Sequence, residues 1–270
     1  MNASTSDITR AAPLFLKGVR IADGGPLGSS YVRWRMWQHD GADSETDHQF
    51  YRWKMWCDEF PELRRQGIQD HILSFMALVD EKASVLVRHG IRLDTTLLLR
   101  CAQNHDLPEP HLKRDVAATK KTDPDDLLEY RTFIELMRDG DPVRWAELEE
   151  VYLLQLARKN PECFPPDARQ KMQGILEQYP GESWLFPALE LLDYLYSAYE
   201  GTYERGVTIM LPCVAARHVP RLDRIAAEFK PFGEHIWNGE LRSFFAEAAA
   251  SFKGDTSGPG SRQLHLFETE

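Results

Sequence analysis

Four side chains of this sequence have the types and surroundings that metal chemistry needs: His71, the adjacent pair His105-Asp106, and Asp193. A cation site requires several imidazoles and carboxylates aimed at one point, and in a helical protein they must project inward from different helices. His71 stands at the start of an apolar-periodic segment and borders its hydrophobic side. His105 follows Leu98 and Ala102 at helical offsets, which places it on the buried side of the next segment, with Asp106 beside it. Asp193 is embedded in LFPALELLDYLYSAY, next to a stripe made by Leu185, Ala188, Leu189, Leu192 and Tyr196. A carboxylate that deep needs a counter-charge, because burying an unpaired charge is costly. A bound cation would supply it, and Glu190, one turn earlier, is the substitute for Asp193. Mixed nitrogen and oxygen donors suit Mn, Co, Fe, Zn or Ni better than Ca.

The elements that must carry these residues read as helices. After Ile68 the apolar residues Ile72, Phe75, Met76, Val79, Ala83 and Leu86 recur at offsets of three and four, the period of one helix face. Asp94 is a suitable N-cap for a helix running through TTLLLRCAQNHD. Asp123-Pro124 and Asp141-Pro142 supply cap and first-turn residues for helices over 124–137 and 143–158, and further helices are expected over 166–178, 184–200, 219–229 and 239–252. Two similar words, YVRWRMW at 31–37 and YRWKMW at 51–56, flank the polar loop QHDGADSETDHQ. Their alternation of aromatic and basic residues suits either two strands of a hairpin or two amphipathic segments, and periodicity does not choose. His39-Asp40, in that loop, lacks an apolar face and is read as coincidence. The expected organisation is mainly α: an irregular or β-hairpin extension over 1–48, a helical domain over 49–253 and a tail over 254–270.

The order His71, His105-Asp106, Asp193 resembles that of the HD-domain metal-dependent phosphohydrolases, and the word HDLPE at 105–109 is similar to the branch that includes the bacterial 5′-deoxynucleotidases. The resemblance extends over roughly residues 50–200. It implies an HD-domain helical bundle, a (deoxy)nucleotide substrate, and one divalent ion (Mn, Co, Fe, Zn, Ni or Mg) held by His71, His105, Asp106 and Asp193. It also implies that Glu109 assists the attacking water, that Asp115 is a second catalytic carboxylate, and that Arg52 and Trp53 contact the nucleotide. The chain departs from the pattern in two places. Ile72 stands where a small polar residue often follows the first His, and the stretch from Asp106 to Asp193 is longer than in compact members. An extra helix or lid in that stretch would alter substrate choice.

Composition narrows the function classes. With 32 Lys+Arg against 42 Asp+Glu and a net charge of −10, the chain lacks the basic balance of a protein that grips long nucleic acids through phosphate neutralisation. Cys57, Cys101, Cys163 and Cys213 are scattered, with no CxxC pair, and read as reduced intracellular thiols. No long apolar run suggests a signal peptide or membrane span, so a cytoplasmic protein is expected. The tail turns to Gly, Ser and Pro and then to QLHLF. Gln263, Leu264, Leu266 and Phe267 resemble the peptide by which bacterial replication and repair proteins dock on the DNA sliding clamp. A short apolar anchor on a polar tether suits such docking, although a C-terminal plug that packs back on its own domain fits the same residues. Three functions stay open: a nucleotide hydrolase, a clamp-tethered nuclease, and a non-catalytic replisome interaction module. The oligomeric state is left open, a homo-oligomer included.

Overall fold

The spacing after Ile68 forms a helix of 21 residues. The structure is a computed structural model that describes residues 25–38, 52–113, 121–140 and 143–252. It is mainly α, and among the described residues there is no strand beyond one isolated antiparallel bridge between Arg52 and Gln66.

A 3-10 turn over Gly25–Leu27 leads into α1 (Gly28–Met36), and α2 (Lys54–Glu59) follows the bridge. The first aromatic-basic word is therefore helical as far as Met36, while in the second Arg52 sits in the bridge and only Lys54, Met55 and Trp56 are helical. Residues 31–36 are helical because they gain tertiary partners: Tyr31 and Trp34 are buried, and Lys82 Nζ on the next long helix donates to Ser30 Oγ. That long helix is α3 (Ile68–Arg88), which packs on α1 and on α4 (Thr95–Asn104). Asp94 caps α4 as its sequence position suggests, its Oδ1 accepting from the Leu97 N–H at 2.9 Å. The helix ends one residue short of the His-Asp pair, so His105 is its C-cap, and α5 (Pro108–Leu112) starts after a tight turn with proline in its first position.

The stretch that lengthens the chain before Asp193 carries α6 (Asp123–Gly140), α7 (Trp145–Leu153), a 3-10 extension over Leu154–Leu156, and α8 (Pro166–Gln178). α9 (Pro180–Tyr203) is the most buried element, with apolar residues around most of its circumference, and it packs on α3, α8 and α10 (Met210–Glu228). α11 (Lys230–His235) and α12 (Gly239–Ser251) close the far side of α10. One continuous apolar core runs from Leu27 to Ala248. No helix among the described residues is long and apolar enough to cross a membrane.

Candidate metal centre

Three elements carry the four predicted ligands, and three of those side chains, His71, His105 and Asp106, meet at one point. His71 lies in the first turn of α3, His105 and Asp106 in the turn between α4 and α5, and Asp193 near the middle of α9. All four are buried, at 1%, 4%, 7% and 1% exposure. His71 Nε2 is 3.1 Å from His105 Nε2 and 3.1 Å from Asp106 Oδ2, and His105 Nε2 is 3.2 Å from the same oxygen. Donor atoms at about 2.0–2.2 Å from one shared ion stand about 3 Å apart, so His71, His105 and Asp106 form a group that could hold a metal ion.

The surroundings prepare these donors. His105 Nδ1 lies 2.7 Å from the Ala102 carbonyl, a contact in which the ring nitrogen must be the donor. In the neutral ring that fixes the tautomer and leaves the lone pair on Nε2, as a ligating histidine requires. Burial, and next the Arg52 guanidinium, hold the His71 pKa below its usual value, which keeps the ring in its neutral, ligating form. Burial also opposes charge on His105, but the Asp106 carboxylate outweighs it and raises the pKa. Asp106 is burdened by burial and yet held well below the carboxylate range, with the His105 charge the leading cause. A metal ion at Nε2 would compete with the proton that the Asp106 carboxylate favours there.

Asp193 stands on the other side of His71. Its Oδ2 is 3.4 Å from His71 Nδ1 and 3.3 Å from Arg52 Nη1, and its Oδ1 accepts from the Trp34 indole N–H at 2.7 Å. Arg52 is buried within the cluster, close to both His71 ring nitrogens and 4.0 Å from Asp106, and its guanidinium lies over the Tyr194 ring. Trp53 takes a different place. It adopts a left-handed backbone (φ 60°) between the Arg52 bridge and α2, and its ring meets Tyr194 edge-on at 5.5 Å. It does not line the cavity above the group.

That cavity has a volume of about 300 Å³, and His71, His105, Asp106, Arg52, Asp193, Glu109 and Glu190 are in its wall. Glu109 is buried on α5, its backbone N–H bonded to the Asp106 carbonyl at 3.1 Å. Burial raises the Glu190 pKa, with His105 acting against the rise. The cavity is also lined by Lys121, Asp123, Asp126, Lys159 and Asn160, and by Arg221 from α10. Lys121 is paired with Glu129 and lies 3.8 Å from Asp126, which also takes Lys159 at 2.7 Å. His39-Asp40, Asp115 and the QLHLF residues lie outside the described residues.

Sequence reading missed Trp34, Lys121, Lys159 and Arg221, and Gln155, which donates to the His105 carbonyl at 3.2 Å. Only Trp34 carried a signal, as part of the aromatic word at 31–37. No family profile, curated protein or solved structure matches this chain.

Proposed function

We propose that this protein is a metal-dependent phosphohydrolase acting on nucleotides. One observation carries the reading: a buried His71–His105–Asp106 group, with Asp193 and Arg52 against it, at the wall of a small cavity. The HD-domain resemblance arrived at the same residues from their order in the chain. His71, His105 and Asp106 would hold the ion, with Asp193 as the fourth candidate. A divalent ion held there would supply Lewis acidity toward a phosphate oxygen and acidify water. The Ala102 carbonyl keeps the His105 ring oriented, and the Trp34 N–H keeps the Asp193 carboxylate oriented. Glu109, buried in the wall, accepts the proton of the attacking water or orients it. A cavity of about 300 Å³ lies at the small end of ligand pockets, which favours a nucleotide over a DNA strand.

The deciding experiment combines metal analysis of the purified protein with a panel of dNMPs, dNTPs and short single- and double-stranded DNA. Nucleotide hydrolysis that depends on a divalent ion is expected. In Glu109→Gln the rate should fall by about 10²-fold or more with metal content unchanged, the pattern of lost general-base work. Turnover of DNA alone would move the assignment to the nuclease, and a metal-free, inert protein would leave the non-catalytic module.

The QLHLF word supports a second proposal, recruitment to a bacterial sliding clamp through Leu266 and Phe267. Each side chain is worth about 1.5–3 kcal/mol on burial before ordering costs. Deleting residues 261–270 should abolish the heat of binding to purified clamp and leave nucleotide hydrolysis intact. Equal binding by the truncated chain would remove the tail from the account.

A further inference from the structure

We propose that Arg221 is the anion anchor of the cavity, the side chain that takes the phosphate oxygens of the substrate; this rests on the phosphohydrolase reading and extends it to a residue outside the HD pattern. Carboxylates outnumber cations in the cavity wall by six to four, so a phosphate entering it meets net repulsion unless a metal ion and an uncommitted cation offset it. Three of the four cations are already committed: Arg52 to Asp193 at 3.3 Å, Lys159 to Asp126 at 2.7 Å, and Lys121 to Glu129. Arg221 forms no ion pair or hydrogen bond among the described residues.

Its position is built. His218, one turn earlier on α10, is buried and stacks on Tyr194 of α9 with ring centroids 5.2 Å apart and planes at 17°. That contact pins this face of α10 beside the residue that follows Asp193, and the half-buried Arg221 lines the same cavity as the metal group. A planar guanidinium offers five donors in a fixed fork that matches two phosphate oxygens at once, which an ammonium does not.

Calorimetry with inorganic phosphate, on the full chain treated with chelator and on the same protein loaded with Mn²⁺, tests this directly. In both states Arg221→Met should weaken phosphate binding by about tenfold or more, as expected for losing charge-assisted hydrogen bonds. Arg221→Lys should fall between the two, and melting temperature and Mn²⁺ content should stay at wild-type values. Arg221→Gln gives the same reading should the Met variant fold poorly. Wild-type phosphate affinity in the Met and Gln variants, or no phosphate binding by the wild-type protein, overturns the proposal. Its failure is separable from that of the enzyme assignment. Phosphate binding that depends on Arg221 in a protein that hydrolyses no nucleotide leaves the anchor standing and removes the activity. Hydrolysis that ignores Arg221 does the reverse.

Discussion

At the scale of single residues, the group works through hydrogen bonds that set which nitrogen or oxygen faces it. The Ala102 carbonyl does this for His105, and Trp34 does it for Asp193, from a helix 159 positions away in the chain. Trp34 is fully buried, stacked on Tyr31 at 5.6 Å and edge-on to Tyr196. Its indole has one donor and spends it on Asp193 Oδ1. Trp34→Phe keeps most of the aromatic packing and removes that donor, leaving Asp193 free to rotate away from His71. Partners of this kind typically govern about 10–100-fold in metal affinity, so Mn²⁺ or Zn²⁺ titration of the Phe variant should show a loss of that size. The test needs a matched melting curve, since a smaller ring also leaves a void. Unchanged affinity in a folded variant would mean that Arg52 and His71 hold Asp193 without help.

At the scale of elements, the site depends on where α4 begins and ends. Asp94 closes the first turn through Leu97, and its own backbone N–H donates to Glu182 Oε1 at 2.5 Å at the start of α9. The start of the helix that presents His105 is thus tied to the helix that carries Asp193. Asp94→Ala removes the side-chain acceptor and keeps the backbone contact. Stability should fall by about 1 kcal/mol, the usual cost of losing such a cap, read as a shift in the urea midpoint with unchanged slope. A loss near zero would show that the Glu182 contact alone holds the helix start. The same scale explains the two aromatic-basic words. Alternation suits a strand, but Tyr31 and Trp34 lie three apart and share one helix face that α3 and α9 bury, and tertiary burial outweighs local pattern.

Across the whole molecule, the core imposes a pH dependence through His218. Burial, and then Arg221 and Arg217, lower its pKa from 6.5 to about 3. Its Nδ1 has no hydrogen-bond partner among the described residues, and its ring packs on Tyr194. Between these two pKa values the unfolded chain binds a proton that the folded protein refuses. The contribution of the neutral ring is therefore fully present above about pH 6.5 and is lost as pH falls toward 3, at up to about 1.4 kcal/mol per pH unit. In His218→Phe this slope should vanish. Urea unfolding at pH 7, 5.5 and 4.5 should show the wild-type protein losing its advantage over the variant as pH falls. Parallel losses in both proteins would show that His218 takes up its proton without unfolding.

What the sequence determined alone is what depends on neighbours within a few positions. The helix spanning Ile68 to Arg88, the Asp94 cap, and the burial of His105 and Asp193 all follow from a 3.6-residue period and from one carboxylate beside free N–H groups. The order of His71, His105-Asp106 and Asp193 was equally legible, because residue types and spacing are written in the chain. Whether those side chains meet was not. The 3.1 Å between His71 and His105, the Trp34 bond to Asp193, the helical state of residues 31–36 and the arrival of Arg221 at the cavity wall depend on how α1, α3, α9 and α10 cross. Those crossings are set by the packing of ridges into grooves between helices far apart in sequence. Periodicity states which face of a helix is buried, and only the tertiary structure decides which helix buries it.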